Sequence, residues 1–223
     1  MAGISVRRKL PAAAAVTAAL CALTGCGTGD DGRATAAASS ATASASPSPT
    51  RSGTAPEPAT RGGSIGAAGS ACELPVTFDL AARWKPDAVD VDPDSEFAAL
   101  AQQGPLTLVC EIDAQPAGNI GYLRVWRGEK SSASPRELLK AFVAAEAGAT
   151  GATYTDVRAG TVTGAEAAYT VNSELLDERK KESAFLVPTA QGPVLVHLGG
   201  MDSDEHDQML PAYELAKSSL RTG

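Results

Sequence analysis

The chain has 223 residues, 43% hydrophobic and only 4% aromatic, with 19 basic against 26 acidic side chains and a formal charge of −7. Those totals suit one or two ordinary domains and exclude a collagen-like, disulfide-dense or polytopic membrane protein. They are unevenly spread: all ten aromatic residues lie between Phe78 and Tyr213, and from Cys72 onward there are 13 basic and 23 acidic residues, a net of −10. A field of that sign repels phosphate backbones and anionic head groups, which argues against nucleic acid as a partner and against membrane attachment through a basic patch.

The N-terminus carries Arg7, Arg8 and Lys9, then an apolar run over residues 10–23, then Thr24, Gly25 and Cys26. A basic start, a short apolar stretch and small residues before a cut site make a secretory signal peptide over residues 1–25. The run is too short to cross ~30 Å of hydrocarbon as a helix. Leu23-Thr24-Gly25-Cys26 resembles the bacterial lipobox. That resemblance implies cleavage before Cys26, acylation of its thiol and amine with fatty chains such as palmitate, and the bilayer as a partner on the extracytoplasmic face of the cell membrane. Two or three acyl chains, at ~0.8 kcal/mol per buried methylene, anchor a protein durably.

Residues 26–71 read as the lipidated cysteine followed by a disordered tether of Ala, Ser, Thr, Gly and Pro, in which Ile65 is the only large aliphatic side chain. Such a segment has too little apolar surface to offset the entropy of ordering it.

Residues 72–223 read as a single α+β domain. Cys72 and Cys110 are its only cysteines, and two thiols in one exported domain pair as a disulfide, the alternative being two free buried thiols. In chain order, residues 75–79 form a strand and an acidic turn covers 87–94. Residues 95–102 have helical spacing, with Phe97, Leu100 and Ala101 on one face. Residues 106–112 and 120–126 form a hairpin around Gln115-Pro116-Ala117-Gly118. Ser134, Pro135 and Glu137 supply an N-cap, a first-turn proline and a capping-box carboxylate for a helix with apolar positions Leu138, Leu139, Phe142 and Val143 that ends near Gly148. Strands follow over 154–158, 165–171, 183–187 and 193–198, and a final helix starts at Asp202 or Ser203 and bends at Pro211. The pattern predicts a largely antiparallel sheet covered by helices.

This order of elements, with Trp84-Lys85-Pro86 ahead of the hairpin, resembles the PsbP-like α/β/α sandwich of actinobacterial envelope lipoproteins of the LpqN type. Residues 110–121 and 210–217 are likewise similar to segments of lipoproteins from high-G+C Gram-positive bacteria. The resemblance implies a non-catalytic domain that docks onto another protein or a small ligand, and it brings no active-site residues with it.

The residues themselves offer few alternatives. Ser-x-x-Lys is missing. His197 alternates with Val194, Val196 and Leu198, so it faces either solvent or the underside of a helix. His206 follows Asp202 by four residues on a helix, a spacing that suits a metal but that helix capping explains more simply. Asp90, Asp92 and Asp94 lack the glycine and glutamate of a calcium hand. The run 178–182 reads as a solvated hairpin tip or strand start. Trp84, Tyr122, Arg124 and Trp126 form a possible binding face through stacking and cation–π contact, or alternatively a core face with Arg124 reaching to its rim.

The sequence thus predicts no catalytic residues, no metal and no cofactor. It predicts a lipid-anchored binding or scaffolding module whose protein or ligand partner is unspecified. The alternatives are an envelope-acting hydrolase or metal-dependent enzyme using His197 or His206, and a ligand-capture lipoprotein serving uptake.

Overall fold

A computed structural model describes residues 57–92, 94–173 and 178–223. The signal peptide, Cys26 and the tether up to residue 56 lie outside the described residues.

Alternating apolar side chains generate most of the architecture. The strands are β1 (Arg61–Ile65), β2 (Val76–Ala81), β3 (Lys85–Ala88), β4 (Gln102–Gln103), β5 (Leu106–Asp113), β6 (Gly121–Gly128), β7 (Ala149–Ala159), β8 (Val162–Ser173), β9 (Glu178–Val187), β10 (Val194–Gly200) and β11 (Arg221–Thr222). They make a small sheet ordered β1-β2-β11 and a large antiparallel one ordered β3-β5-β6-β10-β9-β8-β7, with β4 paired to β5. β10 lies at the centre and is buried along its whole length.

Two helices cover the large sheet, one on each face. In α1 (Pro135–Ala144) the Ser134 hydroxyl accepts from the Glu137 N–H while the Glu137 carboxylate accepts from the Ser134 N–H, closing the capping box that the sequence predicts. Its Leu139, Phe142 and Val143 pack on Trp126, Leu186 and Leu195. In α2 (Ser203–Ser219) the Asp202 carboxylate caps the Glu205 N–H, and the helix continues through Pro211. Its Met209, Ala212, Tyr213 and Ala216 join Phe78 of the small sheet and Val125, Phe185, Val196 and Leu198 of the large one. Period-two alternation therefore splits each central strand between two cores.

Two expectations are corrected. The stretch read as tether through residue 71 contains β1, which pairs antiparallel with β2 so that Ile65 stands opposite Phe78. Ile65 is 2% exposed, and Arg61 forms an ion pair of 2.9 Å with the nearly buried Asp79. One large aliphatic side chain placed against an open strand edge is enough to recruit this segment. Residues 95–102, expected as a helix burying Phe97 and Leu100, form only a single 3-10 turn over Ala98–Ala101, leaving Phe97 59% and Leu100 78% exposed. The backbone there turns back into β4 before a second helical turn can form.

Cys72 and Cys110 are joined by a disulfide, with their Cα atoms 6.1 Å apart. The bridge ties the loop joining β1 to β2 in the small sheet to the middle of β5 in the large one.

Candidate functional site

β9 places Glu182 and Ser183 side by side in the chain and therefore on opposite faces of the large sheet. Each engages one of the two histidines. His197, from the neighbouring strand β10, lies on the α1 face with Glu182, while His206, from the first turns of α2, reaches the sheet at Ser183.

On the α1 face, His197 Nε2 is 2.8 Å from the Glu182 carboxylate, and Lys180 Nζ is 2.6 Å from its other oxygen. The Tyr169 hydroxyl lies 3.2 Å from His197 Nε2 and donates to Glu146 at 2.9 Å, and Gln103 donates to the same Glu146 oxygen. Burial acts most strongly against the Glu182 charge, but His197 and Lys180 together overcome it and hold the carboxyl below its ordinary value. Burial, reinforced by Glu146 and Glu182, pushes the Tyr169 phenol far above its ordinary range. Both contacts of His197 converge on Nε2, and its Nδ1 has no partner among the described residues. That geometry fits a ring whose Nε2 carries a proton, donated toward Glu182. Gly199 makes the room: a Cβ there would sit 2.8 Å from a Glu182 oxygen and 3.3 Å from the His197 ring.

On the α2 face, the Ser183 hydroxyl is 3.0 Å from His206 Nε2, and His206 Nδ1 is 3.2 Å from Asp207. Lys181 bonds the second Asp207 oxygen at 2.6 Å. Burial lowers the His206 pKa despite the opposing pull of Asp207, favouring the neutral ring. Asp207 is held low by Lys181 and His206, which outweigh its partial burial. The resulting Ser–His–Asp chain borders a shallow surface hollow of about 260 Å³, although Ser183 and His206 are only 7% and 4% exposed.

The residues expected to share one binding face are separated. Trp84 is buried in the core beneath α2, whereas Trp126 is buried on the opposite face, edge-on to Phe142 at 5.2 Å. Their indoles are therefore not available as a stacking surface, because each fills a core that the sheet's alternation creates. Tyr122 and Arg124 remain half-exposed on the α1 face, where the Arg124 guanidinium lies 4.9 Å from the Tyr122 ring centre and bonds Glu111 at 2.7 Å. Asp202 turns its carboxylate to the helix backbone, so it is not paired with His206. Glu182, read as part of a solvated charge run, is 1% exposed. Its alternation with Ala184 and Leu186 is the signal that would have placed it inside.

The described chain is thus an α+β sandwich in which two histidine networks pin opposite faces of one sheet. The protein belongs to a family of uncharacterised lipoproteins, whose match spans residues 40–220. Among solved structures it is similar to the solution structure of cyanobacterial PsbP (CyanoP) from Synechocystis sp. PCC 6803. That likeness has a TM-score of 0.47 and 15% identity, covering 72% of this chain and 98% of the other. A search of curated proteins returns no match.

Proposed function

We propose that the protein is a lipid-anchored extracytoplasmic lipoprotein whose α+β domain is a non-catalytic binding or scaffolding module. The observation that carries this reading is Leu23-Thr24-Gly25-Cys26 at the end of an export signal, in a chain that belongs to a lipoprotein family. Thirty residues separate Cys26 from the first described residue, Glu57, a stretch that could extend on the order of 100 Å and hold the domain clear of the bilayer. The burial of both histidines, each held by a carboxylate and a hydroxyl, supports a structural use for each. Metabolic labelling with a palmitate analogue tests the anchor. Label is expected on the wild type and lost in Cys26→Ser, which should also be released from membranes or remain unprocessed. Continued labelling of Cys26→Ser would overturn the reading.

A second reading, an envelope hydrolase, is favoured by one observation: the Ser183–His206–Asp207 chain has the contacts of an acyl-transfer relay and borders a surface hollow. A fluorophosphonate that labels Ser183 in the wild type, and fails to label His206→Ala, would establish it. Retention of the binding function with both His197 and His206 changed to Ala would exclude it.

A further inference from the structure

An apolar hollow of about 250 Å³ lies between the start of α1 and the turn joining β9 to β10. Pro135, Leu138, Leu186, Pro188 and Pro193 wall it, and its floor reaches Leu186, which is fully buried. Prolines fix their own backbone, so three of them in the wall make a cavity that exists before anything binds, and this reduces the ordering cost of occupancy. The cavity falls just below the roughly 300–1,000 Å³ of sites for drug-sized ligands, so its occupant is small.

Its charge is specific. Lys130 is the only ionisable side chain in the lining, and it is exposed at the rim of a domain whose overall charge is strongly negative. The nearest carboxylate in the first turn of α1, Glu137, is already committed to the Ser134 cap. The polar groups of the opposite wall are also engaged: Thr189 donates to the Gly192 carbonyl and accepts from the Gln191 N–H. What remains unmatched is an apolar interior with one cation at its mouth.

We propose that this hollow is a binding site for a small amphiphile with an apolar body and a single anionic head, of the class of short-chain carboxylates. The apolar body fills the space over Leu186 and Leu138, and the head meets the Lys130 ammonium. This deepens the binding-module reading by naming a ligand class, but it does not depend on the anchor, so labelling of Cys26 and occupancy of the hollow fail independently.

The test uses residues 27–223 without the acyl group, which keep every described element, with sodium octanoate as probe. Amide shifts of Leu138, Ala190 and Gly192 should move and saturate together. Octylammonium, of the same length and opposite charge, should bind at least about threefold more weakly. Lys130→Glu should weaken octanoate about threefold or more, and Ala190→Trp, which fills the mouth, should abolish the shifts. Both positions are exposed, so unchanged melting confirms that each variant is folded. If phosphatidylglycerol vesicles retain the domain and octanoate displaces it, the anionic amphiphile comes from lipid; if vesicles do not retain it while octanoate still binds, it comes from the free acid. Shifts that never saturate, equal binding of octylammonium, or octanoate binding unchanged in both variants would overturn the proposal.

Discussion

His197 Nε2 stands 2.8 Å from a carboxylate oxygen of Glu182, and the two side chains are 5% and 0% exposed. Such a contact is worth less than it looks while intact, because desolvation cancels much of the attraction, yet it is costly to break from one side. Glu182→Ala should therefore destabilise the domain by about 3–5 kcal/mol, leaving His197 and Lys180 facing an empty site. The double change to Leu at 182 and 197 should recover part of that loss, since it removes the carboxylate and the imidazole together and leaves only Lys180, whose side chain is 26% exposed and can turn to solvent. Urea unfolding of the two variants measures the difference, and a loss below about 1 kcal/mol for Glu182→Ala would show that the network contributes little.

The opposite face supplies a pH dependence of defined sign. Burial holds His206 below its ordinary value of 6.5, so the unfolded chain binds this proton more readily than the folded one. Stability then rises with pH through that window and falls as the pH drops below about 6.5. Asp207 and Glu182 are also held low, and their contributions disappear at still lower pH. Acidification from pH 7 to about 5.5 should lower the melting temperature in the wild type, and His206→Gln should flatten that slope while reducing stability at pH 7 by about 1–2 kcal/mol. An identical slope in the variant would assign the effect to another group.

These two networks mark where sequence reading runs out. Alternation along β10 says that His197 opposes Val196 and Leu198, and the capping residues around Ser134 and Asp202 are local enough to be read directly. Which carboxylate meets which histidine depends on strand register, and only the pairing of Ala184 with His197 and of Glu182 with Gly199 brings Glu182 within reach. The same non-local pairing hides the separation of Trp84 from Trp126. Ile65 is hidden for the opposite reason: its neighbours in sequence are all small or polar, and its apolar partner Phe78 comes from β2.

The Cys72–Cys110 bridge closes a loop of 38 residues. In the chain-entropy account a loop of that length contributes about 4 kcal/mol by restricting the unfolded chain. Changing both cysteines to Ser should lower stability by roughly that amount without altering the native circular dichroism, and reductant should have the same effect on the wild type. Equal denaturant midpoints with and without reductant would show either that the bridge is absent or that it does not stabilise.

Strand β1 gives a sharper test of where the domain begins. A chain starting at residue 57 keeps the Ile65–Phe78 pair and the Arg61–Asp79 contact, whereas one starting at residue 72 keeps the disulfide but uncovers an edge of β2 over the fully buried Phe78. Ile65→Ala in the longer chain should cost about 2–5 kcal/mol, since the side chain is 2% exposed and its loss leaves a cavity against Phe78. For a domain of this size that corresponds to a melting temperature lower by roughly 4–20 °C. The chain from residue 72 should melt lower still, because it loses this side chain together with the ladder bonds and the ion pair to Asp79. If instead the two chains melt together, residues 57–71 contribute nothing to the fold, and the domain begins at Cys72.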